Sequence, residues 1–251
     1  MGQEINSDDR QTILITGISR RIGAHLSEHL LKAGFHVIGT YRTRRERIDE
    51  LEALGMTTLK LDLLNQKQID SFPAQVRKHT DRIDTLIHNA SVWHSDEDCL
   101  ADPDKAVAMH KVHAVAPIQL TEKLHRLMPP ETDRNGLPSR QVIFISDAHL
   151  GDGAPDHTHY AASKAAIEGA LRSLAVKYAP QIRINVIAPG LMMFHPDDDN
   201  ALRSNRLRCR LFPIEPGADE MRKTVEYLME CKTINQAIIR LDTGRWSCIG
   251  I

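Results

Sequence analysis

A three-layer α/β/α architecture around a doubly wound parallel sheet follows from two features of the sequence. Short apolar runs alternate with segments of helical period from Thr12 to Asp242. The apolar runs are nearly continuous, as strands buried on both faces require. The 251 residues can bury a substantial core and contain no repeat or low-complexity tract, so residues 1–251 read as one domain.

After a polar tail, TILITG predicts a strand from Thr12 into a turn at Gly17. RIGAHLSEHLLKAG places Ile22, Leu26, Leu30 and Ala33 on one helical face, and Gly34 suits its C-terminal cap. FHVIGTY is a second strand, RERIDELEALG a helix closed by Gly55, and TTLKLDL a third strand. QKQIDSFPAQVRKH predicts a helix bent or shifted by Pro73, and IDTLIHNAS a fourth strand. A long helix over Ala106 to Met128 follows, then the polar excursion PPETDRNGLPSR and the strand RQVIFISD. A helix from Tyr160 to Tyr178, the strand RINVIAPG, the helix ADEMRKTVEYLMEC and the strand AIIRLD complete the alternation. Between Leu191 and Gly217 the period is lost, which fits either a lid over a site or an irregular surface insertion.

Composition narrows the function. With 32 basic and 33 acidic residues, a formal net charge of −1 offers no overall field for nucleic acid or an anionic membrane. No run approaches the length of a membrane span, and the first residues lack the apolar stretch of a secretion signal. Cys99, Cys209, Cys231 and Cys248 are far apart, so neither a disulfide framework nor a metal site is expected. The expectation is a reduced cytoplasmic enzyme or binding protein.

Several strand ends carry candidate chemistry. In TGISRRIG, Gly17 and Gly23 bracket a turn that opens a helix, where backbone N–H groups can hold a pyrophosphate; an ordinary strand–helix turn has the same look. At the end of the second strand, an acidic residue would favour a free ribose hydroxyl, but the sequence reads GTYRTRRER. Arg42 first and Arg21 second suit a ribose phosphate, and NADPH is expected over NADH; Arg45 and Arg47 read as merely solvated. Asp62 and Asn89 end the third and fourth strands, where this architecture places ligands. Tyr160 and Lys164, four apart on a helix, present a phenol and an ammonium to one face. An ammonium there would lower the phenol's pKa.

The ordered set TGISRRIG, HNAS, YAASK and IAPG resembles the short-chain dehydrogenase/reductase superfamily over nearly the whole chain. The resemblance implies a Rossmann-like fold, Tyr160 as acid, Lys164 as ribose ligand and residues 191–217 as a substrate lid. It further implies cofactor contacts from Gly17, Ser19, Arg21, Ile22 and Gly23 in the first turn, and from Tyr41, Arg42, Asp62 and Leu63 beyond it. Asn89, Ala90, Ser91, Pro189 and Gly190 would line the nicotinamide side, and the assembly would be a homotetramer.

Four departures from the superfamily pattern are informative. Asp147 stands thirteen residues before Tyr160, where a serine is usual; a carboxylate has no proton for an oxyanion but accepts from amino groups of a nitrogen-rich ring. His113 replaces an asparagine, Arg21 a glycine, and Trp93 follows HNAS where a ring could stack on a heterocycle or simply be buried. Together with the ending LDTGRW, these resemble the pteridine reductases. That group implies reduction of a 7,8-dihydropterin, dihydromonapterin before dihydrofolate, with Ser19, Trp93, Asp147, Tyr160 and Leu191 around it and Tyr160, Lys164, Asp147 and His113 serving the chemistry. The alternatives are a carbonyl or alcohol dehydrogenase of the same superfamily, which Asp147 disfavours, and a nucleotide-sensing protein, which has no need of the Tyr160–Lys164 pair.

Overall fold

The computed structural model describes residues 10–151, 153, 155–208 and 210–244. Cys209, Cys248, the N-terminal tail and the last two residues of LDTGRW lie outside them. Seven strands form one parallel sheet in the order β3-β2-β1-β4-β5-β6-β7, as the strand–helix alternation predicts. They are β1 (Thr12–Thr16), β2 (His36–Tyr41), β3 (Thr57–Lys60), β4 (Thr85–His88), β5 (Arg140–Ile145), β6 (Ile182–Pro189) and β7 (Ile238–Leu241). All residues of β1, β4 and β6 are buried, which explains the apolar runs at the centres of β1 and β4; in β6 the polar Arg183 and Asn185 are buried too, bonded to Leu228 O and Ile234 O. The sequential order reverses between β1 and β4, so the loops after these two strands diverge and leave a crevice at their carboxyl ends.

Helices cover both faces. On one, α1 (Arg21–Lys32), α2 (Glu46–Ala53) and α9 (Ala218–Glu230) bury Leu26, Leu30, Ile48, Leu51, Met221 and Val225 against Ile13, Ile15 and Ile187. On the other, α3 (Gln66–Val76), α6 (Ala116–Leu124) and α7 (Thr158–Tyr178) bury Phe72, Leu120, Leu124, Ile167 and Leu171 against Leu86, Val142 and Val186. Short helices α4 (Asp96–Ala101) and α5 (Pro103–His110) precede α6. Pro73 lies within α3, which runs through it to Val76.

Two expectations are corrected. The long helix over Ala106 to Met128 is broken: a π-helical turn spans Lys111–Val115, and a 3-10 turn spans His125–Leu127. Pro117 has no N–H for the carbonyl of His113, and the Ala116 N–H instead reaches Lys111 O, five residues back. Within the aperiodic segment, α8 (Asn200–Arg208) forms without a buried residue, so an apolar period had nothing to record.

Candidate active site

The turn after β1 is built for close approach. Gly17 has φ 78°, and a Cβ there would lie 2.7 Å from Ala90 Cα; a Cβ on Gly23 would collide with the Gly17 carbonyl oxygen. Asn89 fixes this geometry: its Nδ2 donates to Thr16 O at 3.0 Å and to Gly17 O at 2.9 Å. Thr16 Oγ1 accepts from the N–H groups of Asn89 and Ala90 at 3.0 and 3.1 Å, which locks β1 to β4 at the switch point.

From this turn a cleft extends over the end of β2. Gly17, Ser19, Arg42, Asp62, Leu63, Ala90 and Ser91 line it, as do Arg20 and Arg45. Ser19 Oγ donates to Thr43 O at 3.1 Å, and Asp62 Oδ1 accepts from Leu64 N at 3.0 Å, which shapes the loop that closes the far side. The charges around the cleft fall into two classes. Arg44 pairs with Asp49 and Glu52, and Arg47 with Glu28 and Glu50. Arg20, Arg42 and Arg45 have no carboxylate partner among the described residues and face the cleft. Arg45, read as merely solvated, is exposed at the N-cap position of α2 and also lines the cleft. Arg47, read the same way, is half-buried and held by its two glutamates.

Arg21 goes elsewhere than expected. It adopts φ 53°, a left-handed conformation that costs a non-glycine residue about 1–2 kcal/mol, and its Nη2 donates to Met193 O at 2.9 Å. The strain thus ties the first turn to the segment after β6 rather than aiming a guanidinium into the cleft. Ile22 packs into the core beneath α1, and Tyr41 turns to Arg44, whose guanidinium lies 5.9 Å from its ring centre. Pro189 ends β6 and pairs with Leu241 of β7.

A second cavity of about 520 Å³ adjoins, lined by Trp93, Asp147, Tyr160, Gly190 and Leu191 and by His149, His157, Asn205, Arg206 and Arg210. Trp93 is 54% exposed and makes a tilted contact with His157, so its face is available to the cavity rather than buried in the core. Arg210 is 7% exposed; its Nη1 donates to Asp242 O at 2.7 Å and joins residues 191–217 to the chain after β7.

Between the two spaces stands the polar centre. Tyr160 OH donates to Asp147 Oδ2 at 3.0 Å. Burial first, then the charge of Asp147 and this hydrogen bond, push the phenol pKa up. This corrects the expectation that Lys164 lowers it. Lys164 Nζ lies 5.9 Å from the Tyr160 ring centre and donates to Ile145 O at 3.0 Å, while burial brings its own pKa down to about 8.

His113 sits on the π-helical turn, buried, with its ring nearly perpendicular to that of Tyr160 at 5.5 Å between centres. Its Nε2 accepts from Val92 N–H at 3.2 Å and meets Ser91 Oγ at 2.8 Å; its Nδ1 meets Ser163 Oγ at 2.8 Å. Ser163 Oγ donates onward to Tyr160 O, so the hydrogen must reside on Nδ1 and the Ser91 hydroxyl donates to Nε2. Burial first, then the positive charges of Lys164 and His110, hold the imidazole neutral with a pKa near 2. No group of metal-ligating side chains occurs among the described residues, and no helix there is long and apolar enough to cross a membrane.

Sequence reasoning missed Arg20, His149 and Arg210. Arg20 precedes Arg21 inside a glycine-bracketed turn, a signal that was there to read. His149 and Arg210 lie in loops whose direction has no sequence period.

A parallel sheet reversed at β1/β4, a glycine-built turn and a Tyr-x-x-x-Lys helix define an oxidoreductase of a known kind: the chain belongs to the short-chain dehydrogenase family, whose model matches residues 11–200. It is 36% identical to the dihydromonapterin reductase of Klebsiella pneumoniae over 93% of this chain and 95% of that one. It is 32% identical to the enzyme of that name from an Enterobacter species, over 94% and 97%. The FolM alternative dihydrofolate reductase 1 of Brucella suis, solved in complex with NADP, superposes with a TM-score of 0.83 at 25% identity and 94% coverage of both chains.

Proposed function

We propose that this chain is an NADPH-dependent dihydropterin reductase that converts 7,8-dihydromonapterin to the tetrahydro form, with weak activity on dihydrofolate. The carrying observation is the placement of Asp147 against Tyr160 at the wall of a cavity that Trp93 also lines. The names of the similar reductases support the substrate class.

The cleft fits the cofactor on its own evidence. Side chains at Gly17 and Gly23 would fill the cradle, and three arginines without carboxylate partners among the described residues line the cleft. Gly17 and Gly23 would admit the pyrophosphate, Arg42, Arg20 and Arg45 the ribose phosphate, and Asp62 and Leu63 the adenine edge. Lys164 would hold the nicotinamide-side ribose. When bound, NADPH supplies the hydride that C6 of the dihydropterin takes.

The chain supplies position and the proton. The Asp147 carboxylate accepts from the ring's amino edge, Trp93 covers the ring face, and Leu191 with the proposed lid over 191–217 excludes water. Tyr160, protonated at neutral pH, holds the proton destined for N5. His113, neutral and bonded at both nitrogens, fixes the Tyr160 backbone through Ser163 and takes no proton itself.

The proposed assembly is a cytoplasmic homotetramer; exposed Leu100, Val107 and Val176 on α4, α5 and α7 are available for contacts between copies. NADPH oxidation measured with dihydropterins, dihydrofolate and a panel of carbonyl compounds tests the function. Turnover of carbonyl compounds alone would favour the carbonyl dehydrogenase reading.

A further inference from the structure

His149 lies outside every role above, yet it is bonded to the polar centre. It follows β5 on a short 3-10 turn, Ala148–Gly151, that brings it back onto the residue two before it. Its backbone N–H donates to Asp147 Oδ1 at 2.8 Å, and its ring Nδ1 lies 2.7 Å from the same oxygen. A carboxylate oxygen has no hydrogen, so Nδ1 carries the proton and donates. The other carboxylate oxygen accepts from Tyr160. A hydrogen-bonded line therefore runs His149, Asp147, Tyr160. The imidazole is 36% exposed and lines the second cavity, where solvent can reach it.

This line resolves a conflict in the site. Reducing one ring C=N bond consumes one hydride and one proton. As the Tyr160 O–H bond breaks and an N5–H bond forms, the electron pair left on the phenol oxygen develops beside the Asp147 carboxylate. Two negative oxygens 3.0 Å apart oppose one another. Lys164 and Arg210 both feel the Asp147 charge, but Lys164 Nζ donates to Ile145 O and Arg210 Nη1 to Asp242 O. His113, bonded at both nitrogens and neutral, brings no positive charge.

We propose that His149 is a positioning residue for the proton-transfer half of the reaction: it orients Asp147, and in its protonated form it adds a positive charge in direct contact with the carboxylate while Tyr160 gives up its proton. The inference rests on the dihydropterin reductase reading and assigns a control of that same site. Solvent then restores the Tyr160 proton after product leaves, so the balance of one proton per turnover is kept.

The charges that face His149 come from several elements. Asp147 precedes it, Tyr160 and Lys164 are on α7, and Asp156 and His157 lie just before α7. Arg206 stands on α8 and Arg210 after it. Arg240 of β7, paired with Asp242, reaches the Gly151 end of the turn. Of these, Lys164, near 8, titrates close to the imidazole's range and sets a separate alkaline limb.

The test is the pH profile of turnover in the full chain with saturating NADPH and dihydropterin. Wild-type turnover should fall as pH rises through the imidazole's titration between about pH 5 and 8. His149→Asn keeps a donor at the place of Nδ1 but cannot become charged. It should be about tenfold slower at acid pH, match wild type at the alkaline end of that range, and lack the acid-side limb while retaining the limb set by Lys164. His149→Ala should regain turnover with added imidazole, more at low pH than at high. An unchanged profile in His149→Asn, or a uniform loss at every pH without imidazole rescue, overturns the proposal. Failure of the dihydropterin reading would appear instead in the wild type, as no NADPH oxidation with any dihydropterin. Histidine ¹⁵N resonances, followed with pH in wild type and Asp147→Asn, read the coupling without turnover. Loss of the carboxylate should lower the His149 titration midpoint, and an unmoved midpoint counts against the proposal.

Discussion

Replacing Arg42 with alanine should weaken NADPH binding and leave NADH binding nearly untouched. Arg42, Arg20 and Arg45 border the cleft at the end of β2, and none has a carboxylate partner among the described residues. Their neighbours Arg44 and Arg47 are already neutralised by Asp49, Glu52, Glu28 and Glu50 and have little to offer a phosphate. A hydrogen bond to a charged group is worth about 1.5–3 kcal/mol. Arg42 is exposed, so solvent screening brings the expectation to the lower end, about 1.5 kcal/mol or roughly tenfold in affinity. Replacing Arg20 as well should add a further loss, and the NADPH affinity of the wild type should fall with salt more steeply than that of the variants. Calorimetric titration with NADPH, NADH, 2',5'-ADP and AMP separates the phosphate contribution from that of the rest of the cofactor. Equal losses for NADPH and NADH, or equal wild-type affinities for the two, would refute the assignment.

Tyr160→Phe keeps the ring's packing but removes the proton, so turnover should drop at least about a hundredfold with NADPH affinity retained, by steady-state kinetics and titration. Asp147→Ser removes the acceptor for the substrate's amino edge, and kcat/KM for dihydromonapterin should fall about tenfold to a hundredfold, mainly through KM. A selective loss of simple carbonyl reduction instead would favour the alternative dehydrogenase. Stability should fall with acid. His88 stacks on Phe144 in the core, and burial takes its pKa to about 3; that of buried His113 is near 2. Unfolded histidines titrate near 6.5, so these contributions are complete above about pH 6.5 and are lost as pH falls toward 3. Each adds up to about 1.4 kcal/mol per pH unit, and His88→Leu should remove about half of their combined slope in urea titrations from pH 6.5 to 4.5.

Much of the fold was legible because both faces of the sheet are covered. Strands such as Thr12–Thr16 and Arg140–Ile145 are buried along most of their length and carry apolar runs at their centres. The two glycines of the first turn, the charges after Tyr41 and the Tyr160–Lys164 spacing were legible for the same local reason: each depends on neighbours in sequence. The rest depends on contacts across the chain. Pro117 reshapes the helix around His113, and the direction of Arg21 is set by Met193, 172 residues away. The phenol's environment is decided by Asp147 rather than by the lysine one turn along, because hydrogen bonding and burial act at the oxygen itself. α8 has no buried face and so wrote no period into the sequence.

The most direct measurement supplies purified full-length protein with NADPH and 7,8-dihydromonapterin under anaerobic conditions and identifies the product by mass and chromatography, so that spontaneous pterin oxidation is not mistaken for turnover. The account predicts stoichiometric NADPH oxidation and tetrahydromonapterin formation, abolished in Tyr160→Phe and faster than with any simple aldehyde or ketone. No tetrahydropterin from any dihydropterin, alongside efficient reduction of a carbonyl compound, would contradict it.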